Sequence, residues 1–359
     1  MPLANYFFNV IAERRPSPSF VRGGLRALSY LFRAGIELRA LAYAKKILPS
    51  FSLPAAVISV GNIAVGGTGK TPFVRLLARQ LQGACRLAIL SRGFHSQMER
   101  SPGGVKVASA GNPFFSPEEC GDEPYFLGQE TLADVWVGRD RVASGHKAIQ
   151  EGAQCLILDD GMQHRRLARD FELVVVDGKD PLARGNFLPR GLLRDLPVRL
   201  KEAHLIIANH VEDDAHLETV RETLKNYTRA PLLGVRAEAV QAESIKGKRA
   251  GVYCGIGRPE RFVEMLRALG VKIVDALFLM DHSAVEQGQL QRFAQSCKEK
   301  GADCLLCTAK DWVKWPSPPT TPLPVHPVNM ELKICAGKEH WDALLQSILT
   351  CIAKKRDTQ

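Results

Sequence analysis

A glycine-rich turn after an apolar run constrains this chain more than any other feature. The run covers residues 57–60, alternates in the manner of a strand, and leads into Gly61. The turn and its continuation are Gly66, Gly67, Thr68, Gly69, Lys70 and Thr71. Glycine lets neighbouring backbone N–H groups converge on one point, and the positive end of the following helix adds to them, so such a turn binds phosphate. We predict nucleotide binding here, with Lys70 on the outer phosphates and the Thr71 hydroxyl on Mg²⁺.

The turn departs from the consensus for phosphate-binding loops at one position, where Ala64 replaces the first glycine. The alternative interpretation is a glycine-rich turn between a strand and a helix, with Lys70 on the surface. Three glycines before a Lys-Thr pair begin a helix poorly unless a ligand requires that backbone. The composition of the turn therefore favours nucleotide binding.

The whole chain has the composition of a globular protein, with 45% hydrophobic and 24% charged residues, and its 359 residues allow two domains. A net charge of +10 predicts an anionic partner, and the first 50 residues carry eight basic and two acidic side chains. The nine cysteines form no small disulfide framework, and Cys304 and Cys307 have no second pair at zinc spacing. We expect reduced thiols and no zinc site.

An amphipathic helix is predicted near the N-terminus. Between residues 19 and 48, helical periodicity places one apolar stripe beside a stripe of arginines; the two sets are Val21, Leu25, Leu28, Phe32 and Ile36, and Arg22, Arg26 and Arg33. Such a helix can lie in a membrane interface, or it can pack on the protein core with a solvated basic edge. Arginines interrupt each apolar run well before the length that spans a bilayer.

Two pairs of acidic residues are candidates for the chemistry. Asp159 and Asp160 follow a buried-type strand, as in a Walker B segment, where a carboxylate holds Mg²⁺ opposite Thr71; the alternative is a strand that ends in an Asp-Gly turn. Asp122 and Glu123 lie between a glycine and a proline. They either cap a helix or serve as a base and a metal ligand at the phosphate site.

Further candidates follow predicted strands or lie in a basic loop. Ligands of open parallel sheets bind at the carboxyl ends of the strands. Arg92 and Phe94 follow one such strand, Asn209 ends another and could contact the nucleotide base, and His282 follows a third and could share a proton with Asp122. The irregular loop of residues 185–194 is suited to an anionic substrate or is a solvated connection; its candidate residues are Asn186, Arg190 and Arg194.

The order of strands and helices predicts an α/β fold. We expect a core of the P-loop NTPase type over residues 49–230, with a mostly parallel sheet flanked by helices. Residues 231–359 are predicted to form a second, smaller α/β domain that closes the cleft, with a C-terminal helix that can return to the core. Residues 1–48 are predicted to be a basic, amphipathic, membrane-associating segment.

Several motifs, in this order, resemble one family. They are Gly61-Asn62 through Pro72, Ser91-Arg-Gly-Phe94, Gly121-Asp-Glu-Pro124, Asp159-Asp-Gly-Met-Gln-His164, Gly185-Asn-Phe-Leu-Pro-Arg-Gly191, Gly255-Ile-Gly-Arg-Pro259, Asp281-His282 and Thr308-Ala-Lys-Asp311. This set resembles the tetraacyldisaccharide 4'-kinase family of lipid A biosynthesis. The resemblance implies transfer of the γ-phosphoryl group of ATP to the 4'-hydroxyl of a tetraacylated glucosamine disaccharide 1-phosphate. It also implies a peripheral or monotopic enzyme at the cytoplasmic face of a bacterial inner membrane.

The resemblance also suggests roles for the candidate residues. Asp122, assisted by His282, would accept the proton of the sugar hydroxyl, while Lys70 and Mg²⁺ neutralise the phosphates. The metal would be held by Thr71 with Asp159, Asp160 or Glu123, and the substrate's 1-phosphate by Arg92, Arg190 or Arg194. Two positions depart from the family pattern, because Phe94 stands in place of a tyrosine and Ser283 in place of a second histidine.

Two other classes of function were weighed. A P-loop switch or assembly ATPase that acts on a protein partner would hydrolyse nucleotide without an acceptor. A nucleic-acid-binding ATPase is disfavoured, because the positive charge lies beside an apolar helical stripe and not beside exposed aromatic residues.

Overall fold

The centre of the molecule is a sheet whose middle strands are buried along their whole length. Each residue is buried in β1 (Ala56–Gly61), β2 (Leu87–Ser91), β6 (Cys155–Asp159) and β8 (Leu205–Asn209). Strands covered on both faces are continuous apolar runs, as these are in the sequence. The structure is a computed structural model that describes residues 19–94, 96–240, 242–279, 285–315 and 317–357.

Ten strands form this large sheet, in the order β14-β9-β8-β7-β1-β6-β2-β5-β3-β4. Its remaining strands are β3 (Val105–Ser109), β4 (Asn112–Pro113), β5 (Asp134–Val137), β7 (Phe171–Asp177), β9 (Leu232–Ala239) and β14 (Met330–Ala336). Neighbours from β9 to β5 are parallel, whereas β14, β3 and β4 are antiparallel additions at the two edges. The predicted mostly parallel α/β fold is confirmed.

Helices flank both this sheet and the smaller sheet described below. They are α1 (Ser19–Ala44), α2 (Lys70–Leu81), α3 (Pro117–Cys120), α4 (Asp122–Glu130), α5 (Arg141–Gln150), α6 (Asp214–Leu224), α7 (Ala242–Ile245), α8 (Pro259–Ala268), α9 (Gln287–Glu299), α10 (Ala309–Trp312) and α11 (Lys338–Arg356). Helix α11 lies on the large sheet, where Trp341 contacts Phe73 of α2 edge to face at 5.6 Å between ring centroids. Lys355 near its end donates to Asp170 over 2.7 Å. These contacts place the C-terminal helix beside the phosphate-loop helix.

A second, smaller sheet is entirely parallel. Its strands, in the order β11-β10-β12-β13, are β10 (Arg249–Cys254), β11 (Lys272–Phe278), β12 (Cys304–Thr308) and β13 (Val325–Val328). The boundary that we expected at residue 231 lies before β9, and both β9 and β14 pair in the large sheet. The chain therefore leaves the large sheet after β9, builds the small sheet, and returns with β14.

Helix α1 has a docking face and an exposed apolar face. Ser29 is buried and donates from Oγ to the Phe187 carbonyl over 2.9 Å. Leu25 and Ile36 are half-buried on the docking side, so the predicted stripe is not one lipid-facing surface. Two members of that stripe, Leu28 and Phe32, are exposed, and so are Leu31, Leu38 and Leu41. Among the described residues, no helix has the length and apolar character needed to cross a membrane.

Candidate active site

The glycine-rich turn between β1 and α2 is folded tightly at the carboxyl edge of the large sheet. Gly69 has φ +95°, a left-handed conformation that glycine adopts without strain, and a Cβ at this position would lie 2.2 Å from Asn209 Nδ2. Thr68 is buried, and its Oγ1 accepts from Asn62 Nδ2 over 2.8 Å. A Cβ at Gly66 or Gly67 would meet no heavy atom of the described chain within 4 Å. The backbone of these two glycines is therefore accessible to a ligand.

Asn209 holds this turn from the end of β8. Its Nδ2 donates to the Thr68 carbonyl over 3.0 Å, and its Oδ1 accepts from His210 N over 2.9 Å. Since both polar atoms are engaged within the chain and the residue is buried, the geometry makes Asn209 a support of the phosphate loop. Contact with a base, which the sequence suggested, would require these bonds to change.

Asp160 is the point where two cations meet. Lys70 Nζ lies 3.5 Å from its Oδ1, and Arg194 Nη1 donates to its Oδ2 over 2.8 Å. Partial burial would raise the pKa of Asp160, but Lys70 and Arg194 hold this pKa well below its usual range. Arg194 also donates to Asn62 Oδ1. The basic loop predicted from the sequence therefore brings Arg194 directly to the phosphate loop.

Asp159 lies in a different environment from its neighbour. It is 3% exposed, and its Oδ2 accepts from Ser91 Oγ over 3.2 Å. Burial, together with the charges of Glu123 and Asp160, raises the pKa of Asp159 to about 7. A carboxylate that holds its proton this strongly gains from a nearby divalent cation, which would replace the proton as its partner.

The oxygen donors at this edge fit Mg²⁺ bound together with a polyphosphate. Mg²⁺ prefers hard oxygen ligands and commonly takes one or two from the protein, with phosphates and water completing its shell. Asp159 and the Thr71 hydroxyl supply such donors. Among the described residues no group of three or more His, Cys, Asp or Glu is arranged to hold a metal ion. The residues present therefore fit a metal held mainly by its nucleotide.

Asp122 and Glu123 form the first turn of α4 and face two lysines of the smaller unit. Lys314 Nζ lies 4.0 Å from Asp122 Oδ2, and Lys310 Nζ lies 3.3 Å from Glu123 Oε1. The two lysines are one helical turn apart, which places them on the same side. Asp311, between them, is 3% exposed and accepts from Gly255 N over 3.1 Å. Helix α10 is thereby fixed to the glycine turn after β10.

The sequence patterns gave Lys314 no role, and they included Lys310 only as a member of the Thr308–Asp311 motif. The available signal was their spacing: Lys310 and Lys314 are four residues apart, and Asp311 lies between them. His282, which we expected to assist Asp122, lies outside the described residues, as do its neighbours in the Asp-His motif. Its predicted role remains a proposal.

Three further residues near Asp159 and Asp160 were not predicted as site residues, although Gln163 and His164 belong to the Asp159–His164 motif. Arg141 Nε, Gln163 Oε1 and His164 Nε2 are buried atoms that make no hydrogen bond to any described residue. Burial and the charge of Arg141 lower the pKa of His164 to about 4, so its ring is neutral at pH 7. Buried polar atoms are nearly always satisfied in folded proteins, so these three atoms are expected to bind ordered water or a ligand.

The remaining candidates lie on the surface near these elements. Arg92 donates to Glu99 over 2.6 Å and its guanidinium lies 5.5 Å from the Phe94 ring centroid, with Phe94 62% exposed. Asn186 Nδ2 donates to the Arg184 carbonyl over 3.2 Å. Arg190 is exposed in the same loop. Each is accessible to a ligand, and none has a contact that identifies one.

Residues 22–350 match the sequence model of the tetraacyldisaccharide-1-P 4'-kinase family, LpxK. The chain belongs to this family. The resemblance drawn from the ordered motifs is confirmed. The tetraacyldisaccharide 4'-kinase of Chlamydia abortus is 36% identical over 336 residues, which are 90% of this chain and 89% of the relative. That of Syntrophus aciditrophicus is 34% identical over 345 residues, or 90% of this chain and 92% of the relative.

A solved member of the family has the same fold. The crystal structure of LpxK from Aquifex aeolicus in complex with ATP, at 2.2 Å resolution, matches with a TM-score of 0.71 and 29% identity. The match covers 92% of this chain and 99% of the other. The family assignment therefore holds for sequence and architecture alike.

Proposed function

We propose that this chain transfers the γ-phosphoryl group of ATP to the 4'-hydroxyl of a tetraacylated glucosamine disaccharide 1-phosphate. The observation that carries the proposal is the convergence of Lys70 and Arg194 on Asp160 beside an open glycine turn. Two cations held by one carboxylate at the end of β6 form a positive, preorganised site for a polyphosphate. The family name and the ATP complex of the Aquifex aeolicus relative support the choice of donor and acceptor.

Asp122 is the proposed base. It would take the proton of the 4'-hydroxyl, whose oxygen then bonds to the γ-phosphorus as the bond from that phosphorus to the β–γ bridging oxygen breaks, leaving ADP. Lys314 Nζ lies 4.0 Å from Asp122 Oδ2, so the smaller unit contacts the proposed base directly. Lys70 stabilises charge on the outer phosphates. His282 is proposed to orient Asp122 from the smaller unit.

Thr71 and Asp159 would hold Mg²⁺, which when bound neutralises charge on the β- and γ-phosphates. Asp160 and Glu123 were predicted as further ligands, and both are engaged with lysines of the chain. We therefore assign them to positioning Lys70 and Lys310 in the absence of nucleotide.

The acceptor is proposed to lie between the Asp159–Asp160 turn and the loop of residues 185–194. Arg92 and Arg190 would bind its 1-phosphate by charge-assisted hydrogen bonds. The exposed Phe94, and Asn186 in the basic loop, are proposed to contact the same ligand.

Helix α1 is proposed to bind a membrane surface, because the proposed phosphoryl acceptor of the enzyme is a lipid. Leu31 and Leu38 are 70% and 68% exposed, and arginines 22, 26 and 33 lie on the same helix. An exposed apolar face with basic residues binds anionic lipid head groups from the side, without crossing the bilayer. We place the enzyme at the cytoplasmic face of the bacterial inner membrane.

The test is transfer of ³²P from γ-labelled ATP to a detergent-dispersed tetraacyl disaccharide 1-phosphate. Asp122→Asn, which keeps the shape of the side chain, should lose at least about a hundredfold in kcat while its KM for ATP changes little. The matched control is Glu118→Gln in the neighbouring helix α3, which should transfer normally. Phosphate release without acceptor, and no labelled lipid, would favour the switch ATPase. Normal turnover by Asp122→Asn would refute the base assignment alone.

A further inference from the structure

Helix α1 is bound to two loops of the large sheet. Arg39 Nη2 donates to the Gln163 carbonyl over 2.8 Å, in the turn after β6. Ser29 Oγ donates to the Phe187 carbonyl over 2.9 Å, in the loop after β7, and the Arg33 guanidinium lies 5.7 Å from the Phe187 ring centroid. The helix therefore contacts both loops between which the acceptor is proposed to lie.

The same two loops hold the phosphate loop. From the first, Gln163 Nε2 donates to the Asn62 carbonyl over 2.9 Å. From the second, Arg194 donates to Asn62 Oδ1, and Val65 N donates to the Leu192 carbonyl over 2.8 Å. The paths from α1 thus meet at Asn62, one residue after β1.

Asn62 also contacts the glycine-rich turn directly. It is 0% exposed, and its remaining polar group, Nδ2, donates to Thr68 Oγ1 over 2.8 Å. Thr68 is 3% exposed and immediately precedes Gly69 and Lys70. The amide nitrogen and oxygen of this buried side chain both have partners, which favours one orientation, so a shift of either loop must move Thr68 or break a bond.

We propose that Asn62 is a positioning residue that couples α1 to the phosphate loop, so that an anionic lipid surface bound to α1 tightens nucleotide binding without any acceptor. The proposal rests on the surface-binding role given to α1 above. Seating the helix on a surface restricts its motion and that of the loops it contacts. A loop that is already ordered loses less entropy when it binds a ligand. The coupling is reciprocal, so nucleotide must tighten surface binding by the same factor.

The experiment measures binding of a fluorescent, non-hydrolysable ATP analogue to the full chain. It is done with and without vesicles that contain phosphatidylglycerol and no disaccharide. The Kd of the wild type should fall by at least about fivefold on saturating vesicles, the lower end of typical coupling between sites. Vesicle affinity at saturating analogue should rise by the same factor.

Three variants and one control locate the coupling. Arg39→Ala and Ser29→Ala each remove one contact between α1 and a loop, and each should reduce the ratio of the two Kd values toward one. Arg26→Ala removes the same charge from α1, and its guanidinium contacts Tyr30 within the helix. This control should bind vesicles as weakly as Arg39→Ala, but its ratio of the two Kd values for the ATP analogue should equal that of the wild type. For Asn62→Ala, the Kd values of the ATP analogue with and without vesicles should be equal, even where vesicle affinity is unchanged.

Equal Kd values for the wild type with and without vesicles would overturn the inference. So would loss of the ratio in Arg26→Ala, because the effect would then follow charge and not the hydrogen-bonded path. Absence of vesicle binding would overturn both this inference and the surface role of α1. The transfer assay in detergent is independent of these outcomes, so failure of the proposed function would be recognised separately.

Discussion

Arg261 donates from Nη2 to Asp177 Oδ2 over 2.7 Å, and this contact joins helix α8 of the smaller unit to the end of β7 in the large sheet. Asp177 is 3% exposed and accepts from Arg258 as well. Together with the lysines near Asp122 and Glu123, these ion pairs connect the two units at two separate places.

Asp177→Ala should destabilise the protein strongly. Two partly buried arginines would lose their shared carboxylate, and breaking a buried ion pair costs about 3 kcal/mol. Urea unfolding followed by circular dichroism measures the change. Glu212→Ala is the control, since its carboxylate is 71% exposed and lies 3.9 Å from Lys179; it should change the free energy of unfolding by less than about 0.5 kcal/mol. Equal losses in the two variants would contradict the prediction.

His210 should make the protein sensitive to acid. Burial and the charge of Arg261 lower the pKa of His210 to about 3, although Asp177 lies 3.5 Å from its Nδ1. The charge of Asp177 is shared with two arginines, so burial and Arg261 prevail. The unfolded chain binds a proton at its ordinary pKa near 6.5, so this contribution to stability is present above that pH and is lost as the pH falls toward 3.

The variant His210→Asn tests this dependence, because asparagine tolerates the left-handed φ of +65° found there. Between pH 7 and pH 4 the wild type should lose on the order of 2 kcal/mol more stability than the variant. Denaturant midpoints at a series of pH values give the difference. Parallel pH profiles for the two proteins would show that His210 is protonated equally in both states.

Gly69 and Gly67 should respond differently to alanine. At Gly69 a Cβ would lie 2.2 Å from Asn209 Nδ2 and φ is +95°, so Gly69→Ala should lose more than about 1 kcal/mol of stability. At Gly67 a Cβ would meet no described heavy atom within 4 Å. Gly67→Ala should therefore leave the free energy of unfolding nearly unchanged while it obstructs nucleotide binding. Calorimetry with and without ATP separates the two effects; a stable Gly69→Ala protein would be the contrary result.

Arg194→Lys should impair the reaction more than a conservative change suggests. The guanidinium reaches both Asp160 and Asn62, whereas an ammonium group is a single point of contact. Loss of one charge-assisted hydrogen bond, worth about 1.5 kcal/mol, predicts a decrease of about tenfold in kcat/KM. Arg166→Lys is the control, because Arg166 pairs with Asp140 on the surface at 3.2 Å. Similar kinetics for both variants would remove Arg194 from the site.

The large sheet and the phosphate loop could be predicted from the sequence, because both depend on the residue types of short, continuous segments. The middle strands are nearly continuous apolar runs, and three glycines before Lys70 favour a ligand-binding turn. The same holds for Asp159 and Asp160 at the end of β6. Such features need no knowledge of distant contacts, and the structure places them together at one edge of the sheet.

Other features depend on pairing across long stretches of chain and could not be read locally. Strand β14 completes the large sheet beside β9, about ninety residues away along the chain, and no local pattern in the sequence indicates this pairing. Helix α1 has leucines on more than one face, and only its contacts with the core identify Leu25 and Ile36 as the docking side. Lys314 gained its place near Asp122 from the packing of α10 against α4.

The smaller unit is inserted between two neighbouring strands of the large sheet, because the chain leaves after β9 and returns through β14. Ala239 at the end of β9 is paired with Met330 at the start of β14, so the inserted segment departs and arrives at neighbouring positions. A short turn could in principle connect these two residues and leave the large sheet, α2 and α11 continuous. The scaffold that carries the phosphate loop therefore stays continuous without the inserted segment that supplies Lys310 and Lys314.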